Sequence, residues 1–321
     1  MSGILVITEQ TGGVWHKMSF ETLAAGQQLG RDLSLPVHAC VIGSQLAGEL
    51  GGYELASVIA LEHPLLAEYT ADAATAALTE LIAAIDPAYV LFPHTYQVRD
   101  YAPKLATRCG RALISDAIGY RIVEGAPVFQ RQVFQGKLIA DVAPVAAGPV
   151  FVSFQAGAFR AEAVAAGTAS VETRTPVLDA AEIRLRPEAP FRESARAVDL
   201  SAAALIVAVG RGIKEEGNVA LAQELADAMG AELAASRPIC DNGWLPMERQ
   251  IGSSGQTVAP KLYVALGISG AIQHLVGMKG SRVIVAINKD ADAPIFEVAD
   301  YGIQGDLFEL APALIAELQK G

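Results

Sequence analysis

Residues 261–306 read KLYVALGISGAIQHLVGMKGSRVIVAINKDADAPIFEVADYGIQGD, and this stretch decides the fold of the second half of the chain. It begins with a short apolar run, Leu262–Leu266, that has the composition of a strand. A glycine-rich turn follows, in which Ser269 is a candidate N-cap for a helix over about Gly270–Met278. A second apolar run, Arg282–Ile287, predicts another strand. Continuous apolar strands around a helix predict a parallel sheet that is covered on both faces.

The predicted helix has two chemically different sides. Three of its apolar side chains share one side and are expected to pack on the sheet: Ile272, Leu275 and Val276. His274 falls on the other side, next to Gly270 and Gly277, which have no side chains. This arrangement leaves room for a flat, bulky ligand, and the free N–H groups at the helix start suit a phosphate. The alternative is that the glycines allow close helix packing and that His274 is a surface residue.

The N-terminal half alternates strands and helices, which predicts a mostly parallel, doubly wound α/β sheet. The predicted elements are strands at Ile4–Ile7, Val37–Ile42, Ser57–Leu61 and Tyr89–Phe92, and helices at Ser19–Leu33, Thr70–Ile85 and Asp100–Cys109. Four shorter strands are then expected either to extend this sheet or to form a small antiparallel addition: Tyr120–Val123, Val128–Val133, Lys137–Val142 and Val150–Phe154. The turn of Thr11, Gly12 and Gly13 lacks GxGxxG and GK[ST], so we interpret it as a simple glycine turn rather than an NAD site.

A mixed-charge stretch with little periodicity, IRLRPEAPFRESARAVDLSAA at 183–203, predicts a domain boundary near Ala197. The expected domains are 1–196 and 197–321, the second again α/β with a parallel sheet. In open α/β sheets, ligands bind beyond the carboxyl ends of the strands. Five polar side chains from separate segments are expected there and predict one binding site: Arg211, Ser236, Arg237, Ser269 and Asn288. For Arg211, in its Gly-Arg-Gly turn, the alternative is a plain surface arginine.

The bulk composition narrows the class of protein. The 321 residues are 52% hydrophobic and 18% charged, which is enough for two domains with sizeable cores. The net charge of −11 argues against nucleic acid as a partner. No apolar run is long enough to span a bilayer and MSGILVITEQ has no targeting character, so we expect a cytoplasmic, bacterial protein without membrane insertion. The 3 cysteines and 5 histidines are scattered, and no metal site is expected.

Two longer segments carry a family resemblance: LYVALGISGAIQHLVGMKGS and VIVAINKDADAPIFEVADYGIQGDLFEL. They resemble the flavin-binding domain of the electron transfer flavoprotein alpha-subunit family, and the resemblance extends more weakly over the rest of the chain. It implies that the second domain binds FAD. It also implies a heterodimer with a beta subunit that holds AMP or, in some members, a second FAD. The first domain, with its segment HTYQVRDYAPKLATRCGRALISDAI, would face that beta subunit.

The resemblance further implies which residues bind the flavin. Six consecutive residues would wrap the pyrophosphate and the flavin: Ser269, Gly270, Ala271, Ile272, Gln273 and His274. Arg211 and Ser236 would contact the phosphates or the ribityl chain. The adenosine end would lie against Asn288, Asp306 and the adjoining Leu307. For Asp306 a plain helix cap is the alternative, and both assignments can hold together.

The flavin ring itself would lie beside Arg237 and His274. Both residues are expected to raise its electron affinity, Arg237 as a fixed charge and His274 as a neutral donor or a cation. The N5 and C4 edge would be lined by Ile251, Gly252, Ser253 and Ser254. This loop reads IGSSG where the family commonly has VGQTG. Ser254 retains the hydroxyl of the usual threonine, whereas Ser253 lacks the amide of the usual glutamine.

No GxSxG motif, paired carboxylates or general base aimed at a substrate accompanies this site, which favours an electron carrier whose cofactor does the chemistry. The family resemblance implies that flavin dehydrogenases, such as the acyl-CoA dehydrogenases of fatty acid β-oxidation, donate the electrons and that a quinone oxidoreductase accepts them. Three alternatives remain: an electron-bifurcating, NADH-oxidising subunit, an NAD-dependent oxidoreductase and a flavin-free assembly protein. The missing dinucleotide fingerprint counts against the NAD-dependent enzyme.

Overall fold

The computed structural model describes residues 3–134, 136–145, 147–188 and 200–320. The chain divides into two compact units. The first unit carries the strands between Ile4 and Arg174, and the second unit carries those between Leu205 and Gln304. The domain boundary predicted near Ala197 lies outside the described residues. Both units are α/β, as predicted.

The first unit is built on a nine-stranded sheet. The unit contains eleven strands within the described residues, nine of them in this sheet: β1 (Ile4–Thr8), β2 (Gln10–Thr11), β3 (Val14–Trp15), β4 (Val37–Ile42), β5 (Ser57–Leu61), β6 (Tyr89–Pro93), β7 (Leu113–Val123), β8 (Ala126–Val133), β9 (Leu138–Val142), β10 (Val150–Phe154) and β11 (Ser170–Arg174). Its helices are α1 (Lys17–Leu33), α2 (Ala47–Leu50), α3 (Ala71–Ile85) and α4 (Tyr96–Arg108). The sheet order is β11-β5-β4-β1-β6-β10-β7-β8-β9, and β2 and β3 form a separate hairpin.

The short strands after residue 110 adopt both of the arrangements that the sequence allows. Strand β10 inserts into the sheet, parallel to β6 and β7, while β7, β8 and β9 continue it as an antiparallel edge. The edge strand β11 was not predicted, because four of its five residues are exposed and leave no apolar pattern. Helix α4 begins four residues before the predicted Asp100, since the Thr95 side chain accepts a hydrogen bond from the Val98 N–H and caps it there.

The second unit is a five-stranded, fully parallel sheet. Its elements are β12 (Leu205–Val209), α5 (Val219–Met229), β13 (Glu232–Ala235), α6 (Arg237–Asp241), β14 (Leu262–Leu266), α7 (Ile272–Met278), β15 (Ile284–Asn288), β16 (Tyr301–Gln304) and α8 (Leu307–Leu318). The strand order is β13-β12-β14-β15-β16. Apolar side chains of the central strands point to both faces of the sheet, so each face has its own hydrophobic core. None of the helices within the described residues is long and apolar enough to cross a membrane.

The start of helix α7 and the orientation of its sides were predicted wrongly. The helix begins at Ile272 and not at Gly270, because Gly270 adopts the left-handed conformation with φ of 84°, which does not fit a right-handed helix. Ser269 therefore does not cap it. His274 is only 6% exposed, whereas Ile272 is 44% exposed, so the imidazole faces inward and the isoleucine outward. The inward position is stabilised by a hydrogen bond between His274 and the buried Tyr263 of β14.

The two glycines beside His274 do not leave space for a ligand. A Cβ atom at Gly270 would lie 2.6 Å from the Cα of Ile295, and one at Gly277 would lie 2.6 Å from the Cα of Gly252. Both glycines therefore allow close approach of protein backbone. This is the packing alternative that the sequence allows, although the partners are a short 3-10 helix at Ile295 and a loop at Gly252.

Candidate functional site

A cavity of about 820 Å³ lies in the second unit, at the carboxyl ends of β12, β13, β14 and β15. Its volume is within the range of about 300–1,000 Å³ that is usual for ligand pockets. Twelve of the sixteen predicted site residues line it: Arg211, Ser236, Arg237, Ile251, Gly252, Ser253, Ser254, Ser269, Ala271, Gln273, His274 and Asn288. The predicted convergence of separate segments at this edge of the sheet is therefore present in the structure.

The other four predicted residues do not line the cavity: Gly270, Ile272, Asp306 and Leu307. Leu307 is 5% exposed and packs in the core beneath α8. Asp306 caps α8 by accepting a hydrogen bond from the Phe308 N–H, and it pairs with Lys289 at 2.6 Å. Its side chain is thus already engaged by protein groups. In this structure Asp306 is therefore a helix cap, which is the alternative given in the sequence analysis.

The glycine turns at the strand ends hold two loops against each other. Gly210 and Gly212, on either side of Arg211, approach Gly267 so closely that a Cβ at Gly212 would lie 2.6 Å from the Gly267 Cα. The Gly212 N–H also donates to the Gly267 carbonyl at 3.0 Å. These glycines therefore serve the close packing of the two loops. The Arg211 side chain is exposed and lines the cavity.

A second cationic group enters from the end of β13. Arg237 is the first residue of α6, and its side chain is 66% exposed. Its Nε lies 3.2 Å from Oδ2 of Asp241, one turn along the helix. The preceding Ser236 is 8% exposed, and its hydroxyl does not cap α6. The Ser236 hydroxyl is therefore positioned at the cavity wall without being used by the helix.

The loop that contains Gly252 and Ser253, between α6 and β14, is held by the backbone of α7. The Ser253 N–H donates to the Gln273 carbonyl at 2.7 Å, and Gly252 makes this approach possible because a Cβ there would lie 2.7 Å from the same carbonyl oxygen. Gln250 is 1% exposed, and its Nε2 donates to the Ser254 Oγ at 3.0 Å. Since Oγ accepts this bond, its own hydrogen remains available to a ligand.

His274 is a buried, neutral imidazole. Its Nε2 lies 2.9 Å from the Tyr263 hydroxyl. Burial lowers the pKa of His274 to about 4, and the Ile251 backbone only partly opposes this effect. His274 is therefore uncharged at neutral pH, which supports the neutral-donor hypothesis over the cationic one.

Asn288 positions a loop of the site. Its Nδ2 donates to the Ile268 carbonyl at 2.9 Å, and its Oδ1 accepts from the Asp290 N–H at 3.0 Å. Both polar atoms of the side chain are thus bonded within the protein. Asn288 lines the cavity, but its contacts tie the end of β15 to the turn after β14.

The lining fits an anionic, hydrogen-bonding cofactor such as FAD. Arg211 and Arg237 supply two positive charges against the single carboxylate of Asp290. One buried polar atom at the site, Oε1 of Gln250, has no hydrogen-bond partner among the described residues. Such atoms are destabilising unless a ligand or water satisfies them. Within the part of the chain that the structure describes, no cluster of side chains could hold a metal ion.

The sequence analysis missed eight of the lining residues: Gly212, Pro238, Gln250, Gly267, Ile268, Asp290, Ala293 and Pro294. Three of them, Gly212, Pro238 and Ile268, adjoin a predicted residue and could have been included with it. Gln250 is different, because its contribution depends on the folding back of its loop so that it reaches Ser254, four residues later. No short-range pattern predicts that contact.

Two family models match the chain. The "Electron transfer flavoprotein domain" matches residues 4–178, and the "Electron transfer flavoprotein FAD-binding domain" matches residues 199–279. The electron transfer flavoprotein subunit alpha of Bacillus subtilis is 39% identical over 99% of this chain and 97% of its own length. The chain belongs to the electron transfer flavoprotein alpha-subunit family.

Other members of the family extend the similarity. The electron transfer flavoprotein subunit alpha of Syntrophomonas wolfei is 36% identical over the whole of both chains. A protein of Anaerotignum propionicum named "Acryloyl-CoA reductase electron transfer subunit beta" is 34% identical over 99% of this chain and 96% of its own length. Membership of the electron transfer flavoprotein alpha family places this chain in electron transfer and assigns its second unit to flavin binding.

Proposed function

We propose that this chain is the FAD-binding subunit of a heterodimeric electron carrier, with FAD in the cavity of the second unit. The observation that carries the proposal is the cavity itself, at the carboxyl ends of four parallel strands within and beside the segment that matches the FAD-binding family model. Two arginines and the hydroxyl groups of the lining serines there suit a cofactor that bears phosphates and hydrogen-bonding groups.

FAD, when bound, supplies the redox chemistry, and the chain supplies binding and electrostatics. Arg211 and Arg237 favour negative charge in the cavity, whether on phosphate or on a ring that has gained an electron. Ser236, Ser254 and Ser269 offer hydroxyl groups along the same wall. We assign Arg237 to the ring end and Arg211 to the phosphate end, as the family resemblance implies.

The electrons would come from flavin dehydrogenases, such as acyl-CoA dehydrogenases, and leave to a quinone-linked acceptor. The cavity lining supports a carrier without a substrate of its own, because its titratable groups are two arginines, one exposed aspartate and a buried neutral histidine. None of these is a nucleophile or a general base poised near neutral pH. Exchange of electrons would occur through the flavin when a partner docks.

The second candidate is an NADH-oxidising, electron-bifurcating carrier. It is favoured by the similarity to the Anaerotignum protein, whose name associates it with acryloyl-CoA reductase. The two candidates differ in the electron donor. A carrier of the first kind is reduced by an acyl-CoA dehydrogenase and its substrate, whereas a bifurcating carrier is reduced by NADH without an added dehydrogenase.

The test begins with co-expression of the chain with a beta-type subunit and purification of the complex. We expect a one-to-one heterodimer whose absorbance spectrum shows bound flavin, and release of FAD on denaturation. Bleaching by an acyl-CoA dehydrogenase with its substrate, but not by NADH, would support the first candidate. A colourless heterodimer would overturn the proposal, and steady oxidation of NADH would replace it with the second candidate.

The partner requirement can be tested separately by expressing the chain alone. The flavin ring end of the cavity is lined by Ser253, Ser254 and the side chain of Arg237, all of which are exposed. We therefore expect the isolated chain to bind FAD poorly or to aggregate, because a second chain would be needed to shield the ring. A soluble monomer that retains a full complement of FAD would contradict this expectation.

A further inference from the structure

Asp290 is the only carboxylate among the described residues that lines the cavity. It is the second residue after β15, just as Arg211 and Arg237 are the second residues after β12 and β13. Since the strand order is β13-β12-β14-β15, these three charges follow one edge of the sheet. Neighbouring strands lie about 4.8 Å apart, so the end of β15 is about 14 Å from the end of β13. The cavity is therefore positive at one end and negative at the other.

The carboxylate of Asp290 is held in place by its own loop. The Asp290 N–H donates to Oδ1 of Asn288, and Oδ1 of Asp290 accepts from the Asp292 N–H, both at 3.0 Å. The Asp290 carbonyl accepts from the Ala293 N–H at 3.3 Å. The second carboxylate oxygen, Oδ2, makes no hydrogen bond or ion pair with the residues that the structure describes. Because the side chain is exposed and lines the cavity, Oδ2 can accept hydrogen bonds from a ligand.

The other polar groups near the end of β15 are engaged within the protein. Lys289 pairs with Asp306 at 2.6 Å, and neither side chain lines the cavity. Asn288 has both polar atoms of its side chain in hydrogen bonds to backbone groups. Asp290 therefore remains as the acceptor at this end of the cavity, although neither the spacing of the sequence nor the family resemblance singles it out.

The adenosine end of FAD carries a ribose with two neighbouring hydroxyl groups. In dinucleotide-binding folds, an acidic side chain accepts a hydrogen bond from such a hydroxyl. A phosphate group on the ribose would instead meet a like charge and would be repelled. We propose that Asp290 is a specificity-determining residue, which accepts hydrogen bonds from the ribose hydroxyl groups of FAD and rejects nucleotides with a phosphorylated ribose. This inference rests on the proposed function, because it takes FAD as the ligand.

The test measures binding to the heterodimer after its FAD has been removed. Two probes, ADP-ribose and 2′-phospho-ADP-ribose, differ only in the phosphate on the adenosine ribose, and titration calorimetry gives the affinity for each. We expect the unsubstituted complex to bind ADP-ribose about tenfold more tightly, because the added phosphate would lie against a carboxylate.

The variant Asp290→Asn keeps the oxygen that accepts from Asp292 and replaces Oδ2 with an NH₂ donor. Its affinity for FAD and for ADP-ribose should fall about tenfold, and its preference between the two probes should disappear. The reduction potential of the FAD that it binds should stay unchanged, because Asp290 lies at the opposite end of the cavity from Arg237.

The matched control is Asp292→Asn. It removes a carboxylate from the same loop, but one that does not line the cavity, and it keeps the N–H that donates to Asp290. Both affinities and the reduction potential should remain those of the unsubstituted complex. An equal loss of affinity in the two variants would assign the effect to the general charge of the loop and would overturn the inference.

Two further results would overturn it. Tighter binding of FAD by Asp290→Asn would show that the carboxylate only repels the phosphates of the ligand. Binding of FAD by the unsubstituted complex without a preference for ADP-ribose would show that the ribose hydroxyl groups do not reach Asp290. If the complex bound neither FAD nor either probe, the proposed function itself would fail, so the two failures can be distinguished.

Discussion

The carboxyl ends of the strands differ in one respect between the two units, although both sheets have a parallel centre. In the first unit, the polar side chains of Thr8, at the end of β1, and of Gln10, just after it, are hydrogen-bonded within the protein. Thr8 donates to the Cys40 carbonyl at 2.9 Å, while Gln10 donates to the Ile42 carbonyl and accepts from the Gly13 N–H, both at 3.1 Å. In the second unit, Gln250 keeps its buried Oε1 without a hydrogen-bond partner among the described residues.

This difference indicates why a binding site is expected at the carboxyl ends of the strands in the second unit and not in the first. Glycine turns do not distinguish them, since Gly12 and Gly13 in the first unit have φ values of 59° and 78°. In the second unit, Gly212 and Gly267 are used for backbone packing. What distinguishes the second unit is the cavity of about 820 Å³ at its strand ends, which Arg211 and Arg237 line. The following predictions test this contrast, beginning with the largest expected effect.

The first prediction compares two left-handed glycines, one in each unit. Gly270→Ala should destabilise the second unit by roughly 2–6 kcal/mol, because it adds backbone strain at φ of 84° to a clash with Ile295. Gly12→Ala has similar strain at φ of 59° but no atom within 4 Å, so it should cost only about 1 kcal/mol. Thermal unfolding and flavin content of the two heterodimers provide the measurement.

We expect Gly270→Ala to lose its flavin because the loop loses its shape, and not because the added methyl meets the cofactor. Gly270 does not line the cavity. Equal stability of the two variants would contradict the packing argument. A Gly270→Ala protein with unchanged stability but no flavin would instead show that the cofactor lies against this residue.

The second prediction concerns the pH dependence of stability. His274 has a folded-state pKa of about 4 against an ordinary value of 6.5, so as the pH falls the unfolded chain takes up the proton first. The stability that this residue contributes is therefore complete above pH 6.5 and is lost progressively towards pH 4, by about 3 kcal/mol in total. Chemical denaturation of the unsubstituted protein and of His274→Gln across this range measures the effect.

His274→Gln cannot titrate, so its curve of unfolding free energy against pH should be flatter than that of the unsubstituted protein by this amount. Only the difference between the two curves is used, because other histidines contribute equally to both. If the curves are parallel, His274 is not buried in its neutral form.

The sequence predicts most of the second unit because its strands are apolar and continuous. Leu262–Leu266 is a strand with the predicted bounds. Strand β16 was missed for the same reason as β11, since its four residues are exposed and it forms an edge of the sheet. Edge strands depend on backbone pairing, and a pattern of buried side chains does not reveal that.

The orientation of His274 could not be predicted from helical spacing. Helix α7 has only seven residues, and its apolar side chains are distributed over more than one side. What decides its orientation is a single long-range contact, the hydrogen bond to Tyr263 eleven residues earlier. Gln250 escaped prediction for a similar reason, because its polar partner and its burial both arise from the fold of a loop.

The third prediction tests the charge at the ring end of the cavity. Arg237→Ala should lower the one-electron reduction potential of the flavin, whereas Asp241→Asn should raise it, since Asp241 lies 3.2 Å from Arg237 and offsets its charge. A charge at about 4 Å gives about 4 kcal/mol at a dielectric constant near 20. Because the Arg237 side chain is 66% exposed, solvent screening reduces this, and we expect shifts of about 50–100 mV.

Reductive titration at low and high salt provides the measurement for this pair. Both shifts should become smaller as the salt concentration rises, because screening acts on exposed charges. Shifts of the same sign in the two variants would contradict the assignment, since removal of opposite charges must act in opposite directions. Unchanged potentials in both would place the flavin ring away from Arg237.

The fourth prediction concerns Ser254, where the expected effect is smallest. The Ser254 Oγ accepts a hydrogen bond from Gln250, so its own hydrogen can be donated to the ring. A neutral hydrogen bond is worth about 1 kcal/mol, and with about 59 mV per 1.4 kcal/mol for one electron, Ser254→Ala should lower the potential by at most about 40 mV. Ser254→Thr keeps the hydroxyl and should change the potential much less. Ser253→Ala tests the adjoining exposed side chain, which the family resemblance places at the same edge of the ring. If Ser254→Ala and Ser253→Ala had the same potential as the unsubstituted protein, the hydroxyl would not reach the ring, and the N5 edge of the flavin would have to be assigned to another part of the cavity.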